Sequence, residues 1–200
     1  MDGRKNENDF YGESMSVVHS EKGTVFIDGG YFDNVLKNLG KLSIDFEALA
    51  NMLCNNCERL RTYYYTCMPY QSNPPTDDEK NRYANADKFL YNIRKLPRFE
   101  VRLGKLSYHD GKFEQKRVDV LMSVDLVRMS WDKQIQRAFL VTGDSDFVPA
   151  VMAAKEAGVL VKVYYQQGTI HDELYDACDD REELTKAKLT SVLRYRKLVP

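Results

Sequence analysis

The chain has 200 residues, of which 43% are hydrophobic and 30% charged. That is an ordinary globular composition with room for one sizeable core. Its 29 lysines and arginines nearly balance 30 aspartates and glutamates, so net charge argues neither for nor against a nucleic-acid partner and local distribution must decide.

Residues 1–22 are polar and lack the apolar stretch of a signal peptide, and they read as a flexible tail. No apolar run approaches the roughly 20 residues needed to span a bilayer. No membrane association is therefore expected, and a cytoplasmic protein is. GTVFID is a short β-branched run, read as a buried strand ending at Asp28. After Gly29-Gly30, YFDNVLKNLG reads as a first helix. Ser43 is the expected cap of a second, with Phe46, Leu49, Ala50, Leu53 and Cys57 on one face.

RLRTYYYT is a strand by its tyrosines and threonines, and MPYQSNPPTD a loop broken at Pro74-Pro75. Thr76 and Glu79 have the spacing of a capping box, opening a helix with the stripe Tyr83, Ala86, Leu90 and Ile93. FEVRLGKLSYHDGKFEQKR alternates like extended chain, with Asp110-Gly111 as a hairpin turn. The next helix starts near Val118-Asp119, with Val120, Val124 and Val127 expected on one side. QRAFLVT is a buried strand, Phe147–Ala157 a helix with Pro149 in its first turn, and GVLVKVYY the expected last strand. The remainder reads as helical, broken near Asp179-Asp180. Strand–helix alternation over residues 24–165 predicts an α/β, three-layer Rossmann-like sandwich with a mostly parallel central sheet. One domain is expected over 23–180, with a helical extension over 181–200.

Cys54 and Cys57 form a lone CxxC that follows a helix rather than opening one, with no second pair to complete a zinc site. All four cysteines, Cys67 and Cys178 included, read as inert thiols.

In open parallel sheets, sites form beyond the carboxyl ends of the strands. Asp28 and Asp144 stand at two such ends, Asp146 begins the following helix, and Asp119 opens another helix straight after a basic run. Singly, an aspartate at a helix start is an ordinary cap. Gathered at one edge without a counter-ion, the four would repel, by on the order of 4 kcal/mol for a pair about 4 Å apart at an effective dielectric of 20. A divalent cation removes that difficulty, and all-oxygen ligands select Mg²⁺ or Mn²⁺. Such a site suits phosphodiester hydrolysis, where the cation activates water and stabilises the leaving oxygen.

The segments VFIDGG, KRVDVLMSVDLVRM and FLVTGDSDFVPAVMAAKEAGVLVKVYY together resemble a NYN domain of the LabA-like type, within the PIN-like nuclease superfamily. RTYYYT, RLGKL and LYDACDD fit as well, so the resemblance covers about residues 23–180. It implies a PIN-like sheet and metal-dependent endoribonuclease activity leaving 5′-phosphate and 3′-hydroxyl ends. Matched motif to motif, Asp28, Asp119, Asp144 and Asp146 take the catalytic, metal-site positions, Asp144 as a direct ligand and Asp146 as either a ligand or a partner of the cation's water. Asp125 matches the second helix aspartate and lies well round the helix, in a structural or supporting position. Two departures stand out. Tyr31 occupies a place where the family often has Asn, with Asn34 further on, and Arg117 replaces the glycine of Lys-Gly-Val-Asp.

RNA, single-stranded or structured, is the expected partner. Lys116 and Arg117 directly precede Asp119 and are the expected phosphate contacts, while Arg94, Lys95, Arg98, Arg102 and Lys105 cluster earlier. Tyr31 and Tyr70 have the chemistry to stack bases. Thr142 and Ser145 read as supports for the cation's water or as loop caps. A homodimer through exposed helices is also expected.

Among rival readings, a haloacid-dehalogenase-type phosphatase needs an aspartate two residues after Asp28, where Gly30 stands. Acyl transfer lacks a GxSxG elbow, and His19, His109 and His171 lie in the tail or loops. The serious alternative is a catalytically weak NYN domain acting as an RNA-binding or assembly module.

Overall fold

The structure is a computed structural model that describes residues 20–109 and 112–194, with backbone only for 106–109 and 112–116. In chain order it contains β1 (Lys22–Asp28), α1 (Gly29–Asn38), α2 (Phe46–Leu53), β2 (Glu58–Thr66), α3 (Asp77–Arg94), β3 (Phe99–Leu103), β4 (Lys105–His109) and β5 (Lys112–Lys116). There follow α4 (Val118–Trp131), β6 (Arg137–Val141), a 3-10 turn (Ser145–Phe147), α5 (Val148–Glu156), β7 (Leu160–Tyr165), α6 (Asp172–Ala177), β8 (Asp180–Glu183) and α7 (Lys186–Thr190).

Six strands form one sheet in the order β3-β2-β1-β6-β7-β8, and every pairing in it is parallel. The chain runs outward from β1 through β2 to β3, then returns to β6 on the other side of β1. The order therefore reverses between β1 and β6, where Ile27 pairs with Val141. This is the expected α/β sandwich, and both sheet faces are covered. Val25, Ile27, Tyr64, Phe139 and Val141 point into one core with α1, α2 and Leu90 and Ile93 of α3. Phe26, Tyr63, Tyr65, Leu140 and Val163 alternate into the other, against Met122, Leu126 and Met129 of α4 and Val151 of α5. Because alternate residues are buried on opposite faces, the central strands read as continuous apolar runs.

The capping box at Thr76 and Glu79 forms in full. Elsewhere local expectations need correction. Asp45, not Ser43, caps α2, accepting from the amides of Glu47 and Ala48, because a carboxylate directly before the first turn reaches two orphan amides. That helix ends at Leu53, so Cys57 lies beyond its face. On α3 only Leu90 and Ile93 are buried, and Tyr83 is exposed. On α4 the apolar pattern misleads. Val120 and Val124 are 63% and 56% exposed, and the core side carries Val118, Met122, Leu126 and Met129. Both sides of this helix are apolar, so periodicity alone could not choose between them.

β7 is not the last strand. Asp180–Glu183 pairs in parallel with it, register Lys162 to Asp180 through Tyr165 to Glu183. Charged DREE has little strand propensity, but it forms a short sheet edge, and Lys162 and Lys188 both pair with Glu182. This strand spans the expected boundary at 180/181, and Leu184, Leu189 and Val192 beyond it join the first core. At the other end, Lys22 already belongs to β1, and the rest of the expected tail up to residue 19 lies outside the described residues. So does the Asp110-Gly111 turn, although β4 and β5 do pair antiparallel around it, His109 opposite Lys112.

Candidate active site at the switch point of the sheet

The point where strand order reverses is where an open α/β sheet leaves a crevice beyond its strand ends. β1 ends there on Asp28, and β6 leads there into Thr142-Gly143-Asp144. Asp28 caps α1, its Oδ1 accepting from the amide of Tyr31 at 3.1 Å. Gly29 follows because the helix start is pressed on β2: a Cβ there would lie 2.8 Å from the Tyr64 ring and from the Tyr65 carbonyl oxygen. Asp144 caps the 3-10 turn, accepting from the Asp146 amide at 3.0 Å. Its own amide donates to the fully buried Thr142 hydroxyl at 3.4 Å. Asp119 sits in the first turn of α4.

These carboxylates act on one another. Burial raises the Asp28 carboxyl from 3.8 to about 6, and the charges of Asp119 and Asp144 push the same way, against the Tyr31 amide, which lowers it. The Asp119 carboxyl is raised by burial and then by Asp144 and Asp146. Four carboxylates from three segments thus feel each other at one edge of the sheet, and among the described residues none of them is in an ion pair. Also among the described residues, no group of three or more His, Cys, Asp or Glu is arranged to hold a metal ion. A hard cation that keeps several waters and takes one or two protein carboxylates remains compatible with this donor set.

Asp125 lies apart, turned to β2 and β3. It is buried, accepting from the Tyr65 hydroxyl at 3.0 Å, from Arg102 at 3.2 Å and from Arg128 at 3.3 Å. Ser145 is half-buried in the 3-10 turn, and Asn34 is exposed on α1. Arg117 is exposed and adopts φ 77°, a left-handed conformation that favours glycine. That explains why glycine suits this position in the related motif, and why arginine there carries strain. The Lys116 side chain lies outside the described atoms.

Tyr31 is held rather than free. Its hydroxyl accepts from the Gln166 amide at 3.0 Å and shares a 2.8 Å hydrogen bond with Thr169. Its ring lies against Gly143, where a Cβ would come within 2.7 Å of the ring and 2.1 Å of the Thr169 carbonyl oxygen. The loop 166–171 therefore braces both acidic turns, and His171 adds a backbone bond from its amide to the Gly143 carbonyl at 2.9 Å. Sequence reasoning did not find this brace, since nothing in QQGTIH announces it. Cys67 borders the same edge, and its thiol is raised by burial and by the charges of Asp119 and Asp28, which agrees with its reading as an inert thiol. Cys54 and Cys57 lie Sγ to Sγ at 2.8 Å, and burial keeps both thiols protonated. No helix among the described residues is long and apolar enough to cross a membrane.

A crystal structure of a protein of unknown function from Vibrio parahaemolyticus is similar in fold, with a TM-score of 0.65 and 20% identity over 85% of this chain and 96% of that one. No curated protein sequence matches the chain. NYN domains are generally nuclease-like, of the ribonuclease kind. The NYN domain family model matches residues 22–184, most of the chain and all six strands of the main sheet, and the chain belongs to that family.

Proposed function

We propose that this NYN domain, of the LabA-like type, is a Mg²⁺- or Mn²⁺-dependent endoribonuclease whose site comprises Asp28, Asp119, Asp144 and Asp146. The observation that carries the reading is the mutual electrostatic effect of Asp28, Asp119 and Asp144 at the switch point, with no ion-pair partner for any of them among the described residues. A protein gains no stability from such an arrangement, and burial of unpaired carboxylates is costly unless a cation compensates. When bound, the cation would supply water activation and charge stabilisation at the scissile phosphate.

The chain's own residues do the rest. Asp28 is aimed by the Tyr31 amide, with the Gly30 amide also acting on its carboxyl, and Asp144 is aimed by the Asp146 amide. Thr142 fixes the turn that carries Asp144. Arg117 stands one residue from α4 and two from Asp119, so a phosphodiester backbone reaching the acidic edge would meet its guanidinium. Four free cysteines suit a reducing compartment, which fits a cytoplasmic enzyme.

The test is incubation of a labelled single-stranded RNA with the protein and Mn²⁺, beside Asp144→Asn. Cleavage by the wild type alone is expected, and equal cleavage by both would sink the assignment. The module reading is favoured by one observation, that no three carboxylates are pre-arranged as a metal cage among the described residues. RNA binding without cleavage would support it.

A further inference from the structure

Beside the acidic edge lies an open cleft of about 360 Å³, between α1 and the loop after β7, with more apolar than polar surface and a few placed polar groups. That is near the lower end of small-ligand sites, which run from about 300 to 1,000 Å³, and is suited to a single nucleotide. Tyr31 is the wall the two share. Its amide bonds Asp28, its ring packs on Gly143 next to Asp144, and its hydroxyl faces Thr169 and Gln166 in the cleft.

The rest of the lining has the chemistry of base recognition. Asn38 donates from Nδ2 to Gln166 Oε1 at 3.0 Å. That bond fixes both amides and leaves the Asn38 oxygen as an acceptor and the Gln166 nitrogen as a donor, neither with a partner among the described residues. Side-chain amides of this kind, offering an acceptor and a donor, commonly read the mixed edges of nucleobases. Lys37, exposed at the end of α1, also lines the cleft and supplies positive charge on this side of an otherwise acidic edge. A paired base has its Watson–Crick edge occupied, so only an unpaired one presents that edge to the amides.

We propose that this cleft holds one unpaired nucleotide of the RNA strand, adjacent to the phosphate at the acidic edge, with Asn38 and Gln166 reading its base and Lys37 meeting its phosphate. The proposal rests on the nuclease reading for the identity of the ligand, and its test separates the two. Binding of a fluorescein-labelled single-stranded RNA 12-mer is measured by anisotropy without divalent cation, for the wild type, Lys37→Ala and the double variant Asn38→Ala/Gln166→Ala. Mn²⁺ binding and thermal melting are followed in parallel.

A roughly tenfold or greater loss of RNA affinity in both variants is expected, the scale of one lost polar contact of about 1.4 kcal/mol. Mn²⁺ affinity should stay unchanged, and duplex RNA of the same sequence should bind the wild type more weakly than the single strand. The Gln166 bond to Tyr31 comes from its backbone and survives substitution, and Lys37→Ala alters an exposed side chain, so at least that variant remains folded. Wild-type affinity in folded variants would overturn the cleft proposal while leaving any Mn²⁺-dependent cleavage intact. Variant-sensitive RNA binding without wild-type cleavage would uphold the cleft and remove the nuclease reading instead.

Discussion

Replacing Asp28 with asparagine should stabilise the metal-free protein at neutral and alkaline pH. Burial, with Asp119 and Asp144 nearby, raises this carboxyl from 3.8 to about 6. The folded state therefore prefers the neutral acid, by about 3 kcal/mol at 1.36 kcal/mol per pH unit. Because the folded value lies above the unfolded one, that preference is fully present below about pH 3.8 and is lost as pH rises through about 6. Above that range the wild type carries the whole penalty of the buried charge. Asparagine keeps an oxygen for the Tyr31 amide and never ionises. At about 2–4 °C per kcal/mol for a chain of this size, the variant should melt about 6–12 °C higher at pH 8. The assay is circular-dichroism melting in chelator across pH 4–8. The gap should close toward pH 4, and Mn²⁺ added in place of chelator should raise the wild-type midpoint at pH 8 but not that of the variant. A variant that melts at or below the wild type at pH 8, or a gap independent of pH, would refute the reasoning.

Asp125→Ala should cost about 1–3 kcal/mol in urea unfolding, since it leaves the buried Tyr65 hydroxyl without its acceptor and frees two partly exposed arginines; Tyr65→Phe should cost only about 1 kcal/mol. Arg117→Gly should leave stability unchanged or raise it by up to about 1 kcal/mol, because φ 77° suits glycine. The same variant should weaken RNA binding and lower its salt slope by about one, and a loss of stability would contradict the conformational argument. Val124→Gln and Trp131→Gln, both 56% exposed on α4, should change stability by no more than about 0.5 kcal/mol; a loss of 2 kcal/mol would place them in a packed interface.

The sheet was legible because its strands are short β-branched or aromatic runs separated by strong helix signals, and the carboxylates at their ends followed from the topology. The edge strand β8 was not, since DREE is held by main-chain pairing and by Lys162 and Lys188 rather than by propensity. Nor was the buried side of α4, whose residues are apolar almost all round. At the candidate site, the positions of Asp28, Asp119 and Asp144 at one edge of the sheet were readable from their places after strands or before a helix. The brace from Tyr31 to Gln166 and Thr169 spans 135 and 138 positions. Contacts of that range leave no local pattern, which is why the tie on the Tyr31 hydroxyl was not legible in the sequence.

On the proposed reading, the carboxylates at the switch point hold a divalent cation, one or two as direct ligands and the others through its waters. Electron paramagnetic resonance of Mn²⁺ titrated into the metal-free protein tests it directly, with Asp28→Asn, Asp119→Asn, Asp144→Asn and Asp146→Asn in parallel. Saturable Mn²⁺ binding by the wild type and clear loss of affinity in the first three variants are expected. Saturable binding that all four variants retain undiminished would contradict it.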